Sequence, residues 1–223
     1  MSAALNAVPG VTEILLIRHG ETAWNAERRL QGHLDIPLND EGLRQAAALG
    51  RALRSENLDM IFASDLQRAM QTADAIAAPL AMTVAIDAGL RERCFGGFEG
   101  LPYADIHAHF PEAHAAWQAR EPDARFPQGQ NVAETLREFS QRAVDTVIRL
   151  ASLGHRRIAI VSHGGVLECI YRAVHGIGFE PARDFDILNA SLNRIAWDGE
   201  RLQISVWGDV AHLNDAVLDE IDS

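Results

Sequence analysis

The sequence predicts an α/β fold, a single three-layer α/β/α domain in which helices cover both faces of a mostly parallel central sheet. Three observations carry that expectation. Residues 14–17 and 158–161 are continuous apolar runs of the kind found in strands buried on both faces. Helical patterns separate the strand patterns along most of the chain, which calls for one sheet with crossover helices. Both strong runs stop at a histidine followed by glycine, His19-Gly20 and His163-Gly164, at the strand ends where open α/β sheets bind ligands.

In chain order, residues 1–11, with Pro9-Gly10 near their end, read as a flexible leader and 12–223 as one domain. The triplet Arg18-His19-Gly20 is expected just past the first strand. Residues 22–39 read as a loop. Asn39 then caps a helix with acids in its first turn, and Leu43, Ala46, Ala47, Gly50 and Leu53 fall on one face. Residues 60–63 make a short strand, and Ser64 or Asp65 caps a helix over 66–78 ahead of Pro79. Another short strand covers 83–86. Residues 90–100, glycine-rich and charged, read as a loop, and Pro102 and Pro111 each begin a short helix. After a surface loop over 121–131, Val132, Leu136, Phe139, Ala143, Val147 and Leu150 stripe a long amphipathic helix. The second strong strand leads through His163-Gly164-Gly165 into a helix over 166–174. Two alternating segments, 191–197 and 202–207, pair as a hairpin around Asp198-Gly199, and the tail from Asn214 is acidic.

Composition narrows the function classes. The chain has 223 residues, 48% hydrophobic and 23% charged, an ordinary globular mixture with material for a sizeable core. No apolar run approaches bilayer length, and residues 1–11 lack the basic and apolar regions of a secretory signal, so a cytoplasmic location is expected. Cys94 and Cys169 form no metal spacing and are expected as reduced thiols. A net charge of −11 argues against nucleic acid and anionic membranes as partners. A small anionic substrate needs a local basic pocket; a homodimer is left open. No metal site or cofactor is expected, since His107, His109 and His114 lack zinc-motif spacing.

Arg18 offers a planar fork suited to phosphate, and His19 can act as base, nucleophile or ligand. Alone, Arg-His-Gly is equally a turn with two surface polar residues. Arg68, on the first turn of the helix after residues 60–63, reads by itself as a solvated helix residue. Glu92, in the glycine-rich loop, shares that stretch with a second acid, Glu99.

Together these segments resemble a known family. Ile17-Arg18-His19-Gly20-Glu21-Thr22, with Asn25 after it, is similar to the signature of the histidine phosphatase superfamily, phosphoglycerate mutase-like branch. The resemblance continues through Leu30-Gln31-Gly32, Pro37-Leu38-Asn39, Ser64-Asp65-Leu66-Gln67-Arg68-Ala69, Leu90-Arg91-Glu92-Arg93 with Gly96, and Val161-Ser162-His163-Gly164-Gly165. It spans residues 12 to about 213.

The resemblance implies a phosphoglycerate mutase-like fold and a role for each matching residue. His19 would be the nucleophile that becomes phosphohistidine. Arg18, Arg68 and His163 would hold the phosphoryl oxygens, His163 as an imidazolium, and Glu92 would protonate the leaving oxygen and then help activate water. Asn25, Thr22 and Gln31 would line the substrate pocket, with Gly32, Arg93 and Gly164 beside them. Physical chemistry agrees: charge spreads over three equatorial oxygens in phosphoryl transfer, so fixed positive donors are the main requirement. A positioned acid is worth roughly 10²–10⁴ in rate.

The favoured reading is a phosphatase acting on a small phosphorylated metabolite. The alternatives are a 2,3-bisphosphoglycerate-dependent phosphoglycerate mutase and an inactive phosphate-binding domain. The family's mutases carry a long basic, proline-containing insertion between the acid loop and the second histidine strand, which the path from Gly100 to Asn131 does not resemble, and His163-Gly164-Gly165 is closer to the phosphatases. Gln130-Asn131 departs from the glutamate-serine pair common in phosphatases. Arg28 and Arg29 are read either as solvated or as rimming the pocket.

Overall fold

Alternation along the first strand decides the layering. In the computed structural model, which describes residues 10–213, β1 (Thr12–Arg18) is buried on both sides. Ile14 and Leu16 face one core with Phe139, Val147, Leu167 and Ile170, whereas Leu15 and Ile17 face a second core with Leu49, Ala69, Ala73 and Ile76. The helices that supply those partners therefore lie on opposite faces, as a three-layer fold requires.

The elements that follow are α1 (Ala23–Ala26), α2 (Asp40–Ala52), β2 (Met60–Ala63), α3 (Gln67–Ala77), β3 (Val84–Ile86), α4 (Tyr103–His109) and α5 (Pro111–Gln118). After them come α6 (Leu136–Ala151), β4 (Arg157–Ser162), α7 (Gly164–His175), β5 (Leu192–Trp197) and β6 (Leu202–Asp209). The strands form one sheet in the order β3-β2-β4-β1-β5-β6. The four strands from β3 to β1 are parallel, and β5 and β6 run antiparallel at one edge. A third apolar cluster, including Leu30, Phe98, Ile106, Trp117 and Phe126, lies under α4 and α5. No helix among the described residues is long and apolar enough to cross a membrane.

Several local expectations change. Arg18 ends β1 and does not follow it, and the loop over 22–39 contains α1, closed by a reciprocal capping box between Thr22 and Asn25. The α2 face is rotated: Gly42, Gln45, Ala46, Leu49 and Gly50 are buried, while Leu43 is 49% exposed and Ala47 is exposed. The cause is a close approach, because a Cβ on Gly42 would lie 2.0 Å from the Glu21 carbonyl oxygen. Neither Ser64 nor Asp65 caps α3. Its cap position is Leu66, Asp65 is bound by Arg91, and the Gln67 N–H donates to Asp35 Oδ1 at 2.7 Å. Val132 is 66% exposed and precedes α6, which starts after the capping Thr135. The hairpin turn spans four residues, with Asp198 Oδ1 accepting from the N–H groups of Glu200 and Arg201. The leader up to residue 9 and the acidic tail from Asn214 lie outside the described residues.

Gly42→Ala tests the α2 contact. Alanine normally stabilises a helix interior by roughly 0.5–1 kcal/mol over glycine. Here the clash should reverse the sign and cost about 1–3 kcal/mol in denaturant unfolding. A stabilised variant would show that the contact is looser than described.

Candidate active site

The parallel register of β1 with β4 pairs Arg18 with Ser162, so the next residues, His19 and His163, emerge side by side. Their ring centroids are 5.2 Å apart, and both rings are buried. The His19 N–H donates to the Ser162 carbonyl at 3.0 Å, and the His19 carbonyl accepts from Ala190 N and Asn189 Nδ2, both at 3.1 Å.

Hydrogen bonds set the two rings in opposite tautomers. His19 Nδ1 lies 2.7 Å from the Gly20 carbonyl oxygen, which can only accept, so Nδ1 carries the proton and Nε2 keeps its lone pair. Arg68 Nε donates to His163 Nδ1 at 3.2 Å, so neutral His163 carries its proton on Nε2. Among the described residues that Nε2, fully buried, has no hydrogen-bond partner. An unsatisfied buried donor is costly to keep and marks a place for an acceptor.

Two buried arginines flank the pair. Arg18 donates to the Ile187 carbonyl at 2.5 Å. Arg68 is fixed further by Leu34 O at 3.0 Å and Gly32 O at 2.8 Å. Burial, then the charges of Arg68 and Arg18, hold His19 well below the ordinary histidine value near 6.5. Burial, then Arg68, does the same for His163. The expected imidazolium is therefore corrected: in this field His163 is a neutral N–H donor.

Glu92 reaches the same corner from the acid loop and is 5% exposed. Its Oε1 accepts from Arg93 N at 2.8 Å and its Oε2 from Gly165 N at 3.0 Å, in the first turn of α7. A Cβ on Gly165 would fall 2.2 Å from Glu92 Oε1, so glycine is required for this approach. Glu99 is elsewhere: its carboxylate accepts from the N–H groups of His33 and Phe95 and braces the turn at Gly32.

Thr22, buried, contacts both Asn25 Oδ1 and Gln31 Oε1 at 3.0 Å, which joins three predicted pocket residues to the turn after His19. Gly164 begins α7. Arg93 is buried, its guanidinium 4.5 Å from the centre of the Phe126 ring. Arg29 packs over Trp24 and donates to Gly100 O, whereas Arg28 is exposed. Gln130-Asn131 stays in the loop, and a glutamate-hydroxyl pair, Glu134-Thr135, heads α6 instead.

Sequence reasoning missed several supports. Arg142 donates to the carbonyls of Gly89, Arg91 and Glu92 and pairs with Glu134, whose Oε2 accepts from Cys94 N. His33 Nε2 donates to Glu92 O at 2.8 Å. Asn189 and Ile187 hold the strand end from the far side.

The sequence model of the histidine phosphatase superfamily (branch 1) matches residues 14–210. The chain belongs to this superfamily. It is 39% identical over 209 residues to phosphoglycerate mutase-like protein 4 of Arabidopsis thaliana, covering 91% of this chain and 87% of that protein. It is 35% identical over 208 residues to the metal-independent phosphoserine phosphatase of the same plant, covering 92% and 84%. The structure of Bacillus stearothermophilus YhfR superposes with a TM-score of 0.81 at 32% identity, covering 90% of this chain and 98% of that one. The mutase-like fold expected from the sequence is thus the fold of this superfamily member.

The depressed histidines predict a pH response. Both rings are neutral in the folded protein, while the unfolded chain binds protons near pH 6.5, so stability is fully present above that value and falls as pH drops below it. Ring-resolved NMR titration should find His19 and His163 neutral at pH 6.5. A His19 midpoint near 6.5 would refute the described field.

Proposed function

We propose that the chain is a phosphatase that hydrolyses a small phosphorylated metabolite through a phosphohistidine on His19. The observation that carries this reading is the opposed tautomer pair, a lone pair on His19 Nε2 beside an unpartnered N–H on His163, between two buried arginines. Membership of the superfamily, and a relative named as a phosphoserine phosphatase, support it.

In the first step His19 Nε2 attacks phosphorus in line as the bond to the leaving oxygen breaks, and the Glu92 carboxyl proton passes to that oxygen. Arg18, Arg68 and His163 Nε2–H stabilise the three equatorial oxygens, which need donors fixed before the reaction starts. In the second step water loses a proton to the Glu92 carboxylate and attacks phosphorus. The P–N bond breaks, and its electron pair returns to His19. Two displacements on a positioned imidazole replace one very slow hydrolysis. Asn25, Thr22, Gln31 and Gly32 shape the phosphate side, and Arg93 and Gly164 the leaving-group side.

Hydrolysis is favoured over mutation of phosphate position by the segment between α5 and α6. Its arginines are bound by the protein's own acceptors, Arg120 by Glu168 and Phe179 O, and the partly exposed Arg125 by Ala133 O and Glu138. Neither is placed to fold over a substrate carboxylate and exclude water, which a mutase needs.

Rapid acid-free quench during turnover of labelled phosphate ester should place acid-labile phosphate on His19, and His19→Ala should abolish both label and release. With 3-phosphoglycerate and catalytic 2,3-bisphosphoglycerate, free phosphate should exceed 2-phosphoglycerate; efficient isomerisation with little release would overturn the phosphatase reading. An active His19→Ala protein would end the phosphohistidine route altogether.

Glu92→Gln should slow alkyl phosphates about 10²–10⁴-fold but activated aryl phosphates far less, because only the poor leaving group needs the proton. Equal slowing of both classes would assign the acid to another residue.

A further inference from the structure

On the other side of Glu92 from the phosphoryl-binding residues lies a partly open cleft, with about 750 Å³ of empty space when the solvent at its mouth is included. It shares Glu92, Gly164 and Gly165 with the site, while its lining includes neither histidine of the pair nor Arg18 or Arg68. The leaving oxygen must meet Glu92, so this cleft is where the remainder of the leaving alcohol can extend.

Its walls are aromatic. Phe95, Trp117, Phe126, Phe139 and Phe179 line it, drawn from the acid loop, α5, the loop before α6, α6 and the segment after α7. The charged groups in its deeper wall are engaged with the protein. Glu168 accepts from Arg120 and, at 2.6 Å, from Arg172 Nε; Arg172 also donates to Gly178 O and Pro181 O at 2.9 Å. Arg120 Nε donates to Phe179 O at 2.7 Å. Arg93 lies over Phe126 and 5.3 Å from the centre of Phe95, with Nε donating to Glu134 O. These bonds engage Arg93, Arg120, Glu168 and Arg172 with the protein itself, and the aromatic residues share the lining with Tyr103, Glu121, Ser140 and Arg183. A polyhydroxylated alcohol would lose water there for little return, whereas an apolar body gains by burial.

Resting on the phosphatase reading, we propose that the preferred substrates are phosphate monoesters of alcohols with an apolar, ring-bearing body, held against the aromatic wall beyond Glu92. The cleft thus selects the leaving group, and the arginine-histidine cluster is indifferent to it.

The test compares 3-phenylpropyl phosphate, propyl phosphate and glycerol 3-phosphate on the purified full chain. Their alkoxide leaving groups are similar, so differences in kcat/KM report the body of the alcohol. The phenylpropyl ester should exceed both others by about tenfold or more, the scale of hydrophobic pocket selection. Ala116→Trp, which fills the cleft from the half-buried side of α5, should shrink that ratio towards one. Phe179→Ser, on the segment after α7, should lower it severalfold and provides the test if the first variant does not fold. Release at equal rates from all three esters overturns the apolar-cleft proposal and leaves the phosphatase reading standing. A ratio unmoved in a folded variant overturns it too. No release from any ester, with no label on His19, brings down both.

Discussion

The register of β1 against β4 is the constraint on which the site depends. Arg18 opposes Ser162, and both chains leave the sheet one residue later as histidine. In a strand pair a slip of one residue turns every side chain to the other face. Here such a slip would exchange the two cores, moving Leu15 and Ile17 into the layer of α6 and α7, and would also part the two imidazoles. The apolar packing that stabilises the sheet therefore fixes the spacing of the reactive rings. No separate device is needed to bring them together.

The second organising element is the charge cluster. The chain carries a net −11, yet Arg18 and Arg68 are sealed at the strand ends, each held by backbone carbonyls. Backbone carbonyls are among the groups that hold them, and the charge of the two arginines reaches both histidine rings. That field and burial together keep His19 unprotonated, which is the form able to attack phosphorus. On the proposed route, attraction for the anion and readiness of the nucleophile have one source. By contrast, the thiols of Cys94 and Cys169 are pushed up to about 12, chiefly by burial, and stay protonated and inert.

Much of the site was legible because its parts are local. A buried strand that ends in a polar triplet marks a candidate site within eight residues, and Gly164-Gly165 after His163 marks the helix start that receives Glu92. The choice between Glu92 and Glu99 was not legible: both lie in one irregular loop, and only the fold shows Glu99 occupied by His33 N and Phe95 N. Contacts between distant segments were invisible for the same reason. Asp35 meets the start of α3 across 32 residues, and Arg142 meets the acid loop across 50. The rotated face of α2 followed from backbone proximity at Gly42, which no hydrophobic pattern encodes. The protonation state of His163 likewise depends on Arg68, 95 residues away.

Two main-chain N–H groups, from Arg93 and Gly165, donate to the carboxyl of Glu92. The aromatic residues beyond it come from the acid loop, α5, the loop before α6, α6 and the segment after α7. The two halves of the site therefore differ in how they can evolve. Substitution along the wall can change its shape while the donors that place the acid remain, since a peptide N–H survives every replacement except proline. A lineage with this scaffold can exchange one alcohol for another in single steps without first rebuilding the chemistry.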